Sequence, residues 1–162
     1  MTTAADPARE LLRHTLATLA YRGGKAVRDV SPDFPTFRAE EQTRTPLEIL
    51  AHIGDLLEWG LSTVRGKQSW SNATPRAWEQ EIERFFRGLS ELDRYLAGAD
   101  TLACSPQQLF QAPIADALTH VGQIAMLRRL AAAPMRAENY FQADIRVGRV
   151  GAEQSAPRFE FD

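Results

Sequence analysis

Cysteine is nearly absent from this chain. Cys104 is the only one among 162 residues. An internal disulfide is therefore excluded, and the chain tolerates a reducing compartment. A basic surplus is also missing. Nineteen Lys and Arg stand against 21 Asp and Glu, for a net charge of -2. Nothing in that balance neutralises a phosphate backbone, so nucleic acid is not an expected partner. Long apolar runs are lacking too. None approaches the ~20 residues a membrane helix needs, so no membrane association is expected. The opening stretch MTTAADPARELLRH has no apolar segment of the kind a secretory signal carries. A cytoplasmic protein is the expectation. Internal repeats and low-complexity segments are absent as well.

What is present is punctuation for helices. The length suits one domain, spanning 1–162, with a core of its own. Four times a small polar residue precedes proline: Asp6-Pro7, Thr45-Pro46, Thr74-Pro75 and Ser105-Pro106. That is the pattern of an N-cap followed by the first helical position, where proline's fixed φ helps and its missing N–H costs nothing. Thr45–Glu48 and Ser105–Gln108 add capping boxes. The spacing predicts helices over about 7–22, 46–65, 75–97 and 106–132, with an irregular tail over 134–162. The first helix is expected to stop at Gly23-Gly24. Pro113 is expected to kink the fourth, or to end a short first piece near Gln111.

Each segment carries one apolar stripe at helical spacing. Ala8, Leu11, Leu12, Thr15, Leu16 and Leu19 form the first. Ile49, Leu50, Ile53, Leu56, Leu57, Leu61 and Val64 form the second. Such segments make an all-α four-helix bundle. The connection 23–44, with SPDFPTF inside it, is expected to strap one end. In the tail, ADIRVGRVG is expected to hold a short strand and the terminal EFD to fray. Tyr140, Phe141 and Ile145 are expected to anchor that tail. An alternative folds it over the site, with Asn139, Tyr140 or Arg146 touching substrate. The nine residues 66–74 permit either a parallel crossover or an antiparallel return between helices two and three. The return fits more easily.

The chemistry-bearing stretch is DALTHVGQ, Asp116 to Gln123. Asp116, His120 and Gln123 fall on one stripe at the edge of an apolar face made by Ile114, Ala117, Leu118, Val121 and Ile124. Residues i and i+4 can converge on one ion. His52, at the groove edge of helix two beside Leu56 and Trp59, is the third candidate ligand. Two imidazoles and a carboxylate suit a divalent metal ion. Zinc, nickel, iron and manganese are not distinguished by the set. Gln123 is expected to orient a ligand or a water. The plain alternative is a solvated polar pair with a bundle histidine nearby. His14 projects toward solvent. Cys104 precedes a helix N-cap but reads as structural, and Trp59, Trp70 and Trp78 line a pocket or fill the core.

On these residues the chain resembles the DinB/YfiT-like superfamily of metal-dependent four-helix-bundle enzymes. LEILAHIGDLLEWG carries the helix-two histidine, His52. DALTHVGQIAMLRRLAAAP carries the helix-four motif, with His120 and Gln123 at the matching positions. Asp116 stands where a histidine is commoner. Thiol-dependent isomerases of the superfamily look similar in using an acid there. The resemblance implies an up-down-down-up bundle with a crossover between helices two and three, a divalent metal ion, and often a homodimer. It also implies a small-molecule substrate, with transfer or isomerisation using a low-molecular-weight thiol such as bacillithiol or mycothiol, or hydrolysis. The competing expectation is a non-catalytic bundle that binds a small ligand or a partner helix, with an empty or vestigial metal site.

Overall fold

The computed structural model describes residues 6–161. Among them are four main helices: α1 Pro7–Val27, α2 Pro46–Val64, α3 Trp78–Ala97, and a fourth assembled from α4 Pro106–Leu109, a π-helical turn Phe110–Ile114, and α5 Ala115–Leu130. A two-residue antiparallel ribbon, β1 Ala137–Glu138 with β2 Glu160–Phe161, closes the tail. No described helix is long and apolar enough to cross a membrane.

Three of the four Pro-marked starts form as the sequence specifies. Asp6 accepts from Ala8 N–H at 3.0 Å. Thr45 and Glu48 close a reciprocal box, with Thr45 N–H on Glu48 Oε2 at 2.7 Å. Ser105 and Gln108 close another. The exception is Thr74-Pro75, where the helix begins three residues later. Its first turn is tied instead by Gln80 and Glu81, which accept from Ala77 N–H and Arg76 N–H. Residues 65–77 thereby become a longer link. At ~3.3 Å per residue they reach ~43 Å, against ~28 Å for the length of α2.

The expected stop at Gly23-Gly24 is overturned, because α1 runs on to Val27. These glycines serve close approach. A Cβ on Gly23 would lie 2.5 Å from Phe85 Cζ, and one on Gly24 would lie 3.4 Å from Phe86 Cζ. The true end is capped from α5. The Arg128 guanidinium donates to the carbonyls of Lys25, Ala26 and Arg28. Those carbonyls are among the acceptors a helix C-terminus leaves without partners. At the end of α2, Gly66 takes φ +73. Its N–H bonds Thr63 O and that of Lys67 bonds Ser62 O, the Schellman pattern.

All the stripe residues expected on α2 are buried, as are Leu12, Leu16 and Leu19 on α1. Leu11 is not; it is 65% exposed. The inner face of α1 is turned toward Ala17, Ala20 and Tyr21, which are buried. The contacts of α2 with α3 rise together along both chains. Arg84 donates to Ala51 O, Gly88 abuts Leu57, and Tyr95 donates to Val64 O. Those of α1 with α3 run in opposite order, from Arg13–Asp93 to Trp78 Nε1 on Val27 O. Gly60 against Pro113 and His52 against His120 show the same opposition for α2 and the fourth helix.

The 28–45 connection is the expected strap. Its turn Phe34–Thr36 buries Phe34 edge-on against Trp78 at 6.0 Å. In the tail, 143–151 holds no strand. The ribbon pairs 137–138 with 160–161 because Lys25, 4% exposed, draws both Glu138 (2.8 Å) and Glu160 (2.7 Å) onto α1. Tyr21 Oη adds a 2.6 Å bond to Glu138. The expected fraying of EFD is thus corrected at Glu160 and Phe161, while Asp162 lies outside the described residues. Tyr140 and Ile145 do pack inward, but Phe141 is 96% exposed and anchors nothing.

Candidate metal centre

His52 sits in the second turn of α2, one step off the buried line of Ile49 and Ile53. Asp116 and His120 occupy the first two turns of α5, just past the π-helical turn. Pro113 explains that turn. It has no N–H to donate and its ring crowds the carbonyl four residues back, so the helix widens there. Pro113 is also seated on Gly60, at 3.3 Å from where a Cβ would stand. The start of α5 is thereby held against the middle of α2.

The three side chains meet. Their ligand atoms all lie within 4.8 Å of one another. His120 Nε2 is 3.4 Å from Asp116 Oδ1, and His52 Nε2 is 3.9 Å from Asp116 Oδ2. The imidazoles stand edge to face with centroids 4.7 Å apart. Metal–ligand bonds of ~2.0–2.2 Å at tetrahedral angles put donor atoms ~3.3–3.6 Å apart. The His120–Asp116 distance meets that spacing and the His52–Asp116 distance exceeds it slightly. Side-chain exposure is 12% for His120, 20% for His52 and 47% for Asp116. The centre is walled on the bundle side and open on the other.

Gln123 decides how His120 presents itself. Its Oε1 lies 2.7 Å from His120 Nδ1; with the amide in this orientation the oxygen accepts from Nδ1–H, and in that tautomer of the ring Nε2 is the nitrogen with the free lone pair. That lone pair faces the Asp116 carboxylate, another acceptor. Turning the Gln123 amide over would move the proton to Nε2 and make a His–Asp bond. A charge-assisted bond of that kind runs ~2.7–2.9 Å, and 3.4 Å is too long for it. His52 is held below the ordinary histidine range, first by burial and then by the nearby His120 and Arg44. It is thus neutral at neutral pH, the form in which imidazole ligates. Two imidazole nitrogens and a carboxylate gathered within 4.8 Å of one another are a donor set that one cation could bridge.

Aromatic groups cover one flank. Trp70 stands edge-on to His52 at 5.7 Å and to Trp59 at 5.9 Å. It belongs to the 65–77 link, which is tied down by a buried network. Arg84 binds Asp55 at 2.6 Å and Glu58 at 2.7 Å, and Asp55 also accepts from Ala73 N–H. Gly54 makes room, since a Cβ there would lie 2.8 Å from Arg84 Nη1.

Two open cavities flank the triad. One, about 460 Å³, is lined by Arg44, Ile49, His120, Gln123, Met126 and Leu127, with Ala39 and Thr43. The other, about 470 Å³, is lined by Trp59, Gln111, Ala112, Ala115, Asp116 and Thr119. Trp59 therefore lies beside the triad, in the lining of a cavity rather than in the core. Trp78 lies in the core. Tyr140 packs on Tyr21 and under Arg22 on α1, and Asn139 caps its own turn by accepting from Phe141 N–H. Neither lines the two flanking cavities. Arg146 is bound to Asp144 within the tail. His14 is exposed. Cys104 lines a separate cavity with Trp59 and Pro113, and burial holds its thiol above the ordinary range.

Sequence reasoning missed Arg44 and gave Trp70 no specific place. Arg44 has a weak signal, as a cation immediately before the cap of the helix that carries His52. Trp70 sits in a link whose path no periodicity sets. Scans of protein-family models, of curated proteins and of solved structures return no match.

Proposed function

We propose that His52, Asp116 and His120 hold one divalent metal ion, and that this chain is a metal-dependent enzyme of the DinB/YfiT-like kind. The observation that carries the reading is the convergence of three donors with Gln123 fixing the tautomer of His120. The order of helix contacts supports the up-down-down-up bundle that such enzymes have. The 65–77 link is long enough for its crossover.

Three protein ligands leave coordination positions for a small molecule, the pattern of catalytic rather than structural sites. When bound, the ion supplies Lewis acidity, lowering the pKa of a water or thiol and polarising a substrate oxygen. The chain's own residues do the rest. Gln123 holds His120 in its ligating tautomer, and Trp70, edge-on to His52 and Trp59, restrains one side of the His52 ring. Among the described residues around the triad no side chain is poised as a covalent nucleophile. Thiol transfer, isomerisation or hydrolysis therefore draws its nucleophile from a co-substrate, a low-molecular-weight thiol or water. The donor set suits zinc, nickel, iron or manganese.

The test is elemental analysis of tag-free protein, before and after incubation with zinc, nickel or manganese, beside His120→Ala. One ion per chain in the wild type and its loss in the variant is the expected result. Substoichiometric metal in both would refute the metal centre and leave a ligand-binding bundle.

A further inference from the structure

The two mouths of the triad differ in charge. The cavity on the Trp59 side has no cationic residue in its lining. The cavity on the His120 side has one, Arg44, and no acid. The rest of that lining is apolar except for Thr43, Gln123 and His120. Arg44 makes no hydrogen bond, ion pair or ring contact among the described residues. Other cations do: Arg38 is bound to Glu48, and Arg84 to Asp55 and Glu58. The carboxylate of Asp116 belongs to the triad itself, and its exposed edge lines the opposite cavity. An unpaired guanidinium at the rim of an apolar cavity, beside a candidate ligand, is poised for an anion carried on an apolar body. At about 460 Å³ the cavity falls within the ~300–1,000 Å³ range of small-molecule sites.

We propose that this mouth admits a small organic acid, its carboxylate on Arg44 and its apolar body along Ile49, Met126 and Leu127. Arg44 is then a substrate-binding residue and sets specificity for an acid over its neutral analogue. The carboxylate can belong to the electrophilic substrate or to the thiol. The inference rests on the metal reading for what happens next, but the binding itself does not need the ion.

That separation sets the experiment. Binding of hexanoate and of hexanamide is measured by ligand-observed NMR on metal-free and metal-loaded protein, for wild type, Arg44→Gln and Arg44→Lys. A charge-assisted bond to guanidinium is expected to favour hexanoate by about tenfold or more. The preference should shrink with added salt, vanish in Arg44→Gln and survive in part in Arg44→Lys. A thiol with and without a carboxylate, compared in the same way, tells which reactant bears the acid. Equal binding of acid and amide, no binding of either, or a preference that persists in Arg44→Gln would overturn the proposal. A preference seen only with metal and untouched by Arg44→Gln would place the carboxylate on the ion and also overturn it. In none of these outcomes is the metal centre itself judged, since that depends on metal content alone.

Discussion

Replacing Gln123 by Leu leaves all three candidate ligands in place and removes only the acceptor that holds His120 Nδ1–H, 2.7 Å away. The imidazole then loses both its tautomer bias and its rotational restraint. Loss of such a partner typically costs 10–100-fold in metal affinity, or ~1.4–2.7 kcal/mol. The lower end applies here. Gln123 is exposed, so water can take over the bond in part. About a tenfold weakening is therefore expected for Gln123→Leu. Gln123→Glu, which keeps an acceptor at the same reach, is expected to retain affinity. His120→Ala removes a ligand outright and should fall far below both. The assay is competition for zinc against a chromophoric chelator at neutral pH, with circular dichroism confirming helical content. Affinity in Gln123→Leu indistinguishable from wild type would refute the tautomer argument while leaving the ligand set standing. His120→Ala binding as tightly as wild type would refute the site.

The depressed pKa of His52 gives a pH prediction for the metal-free protein. Its neutral form is favoured in the fold, so its contribution to stability is complete above the unfolded value of ~6.5. That contribution is lost as pH falls through the lower folded value. The His52 ring resonances should titrate with a midpoint below that of a free histidine peptide, and a midpoint above it would contradict the burial argument. At Gly23 an added methyl meets the ring of Phe85, which is fully buried. Gly23→Ala should destabilise by ~1–3 kcal/mol from overpacking, offset in part by the ~0.5–1 kcal/mol that alanine gains in a helix. A rise in melting temperature would show that Gly23 is not there for close approach.

Much of this was legible in the chain because helix caps and apolar stripes are local signals. Thr45 with Glu48, and Ser105 with Gln108, need only each other to form. The Ile49–Val64 stripe needs only an apolar neighbour. The pairing of Asp116 with His120 followed from helical spacing, and their meeting with His52 followed from both stripes bordering one core. What the sequence hid was set by partners distant in the chain. Gly23-Gly24 looks like a stop until Phe85 and Phe86 arrive from α3. Thr74-Pro75 looks like a start until Glu81 and Gln80 take the amides of the preceding residues. The tail's ribbon depends on Lys25, more than a hundred positions from either of its carboxylates.

Two departures from regular helix chemistry bear directly on the triad. The π-helical turn at Pro113 places one extra residue in a turn, which rotates everything after it by ~100° relative to an unbroken helix. Without that turn, a helix begun at the Ser105 cap would carry Asp116 and His120 out of phase with the face now opposite His52. The proline that resembles a defect is thus what sets the bearing of two candidate ligands. The second departure is Gly54, which costs α2 helix propensity but admits the Arg84 guanidinium, and through Asp55 fixes the link bearing Trp70. Both features spend local stability near one cluster of side chains. These two conflicts between local preference and fold lie beside the triad, whereas that of Gly23-Gly24 serves the packing of α1 on α3.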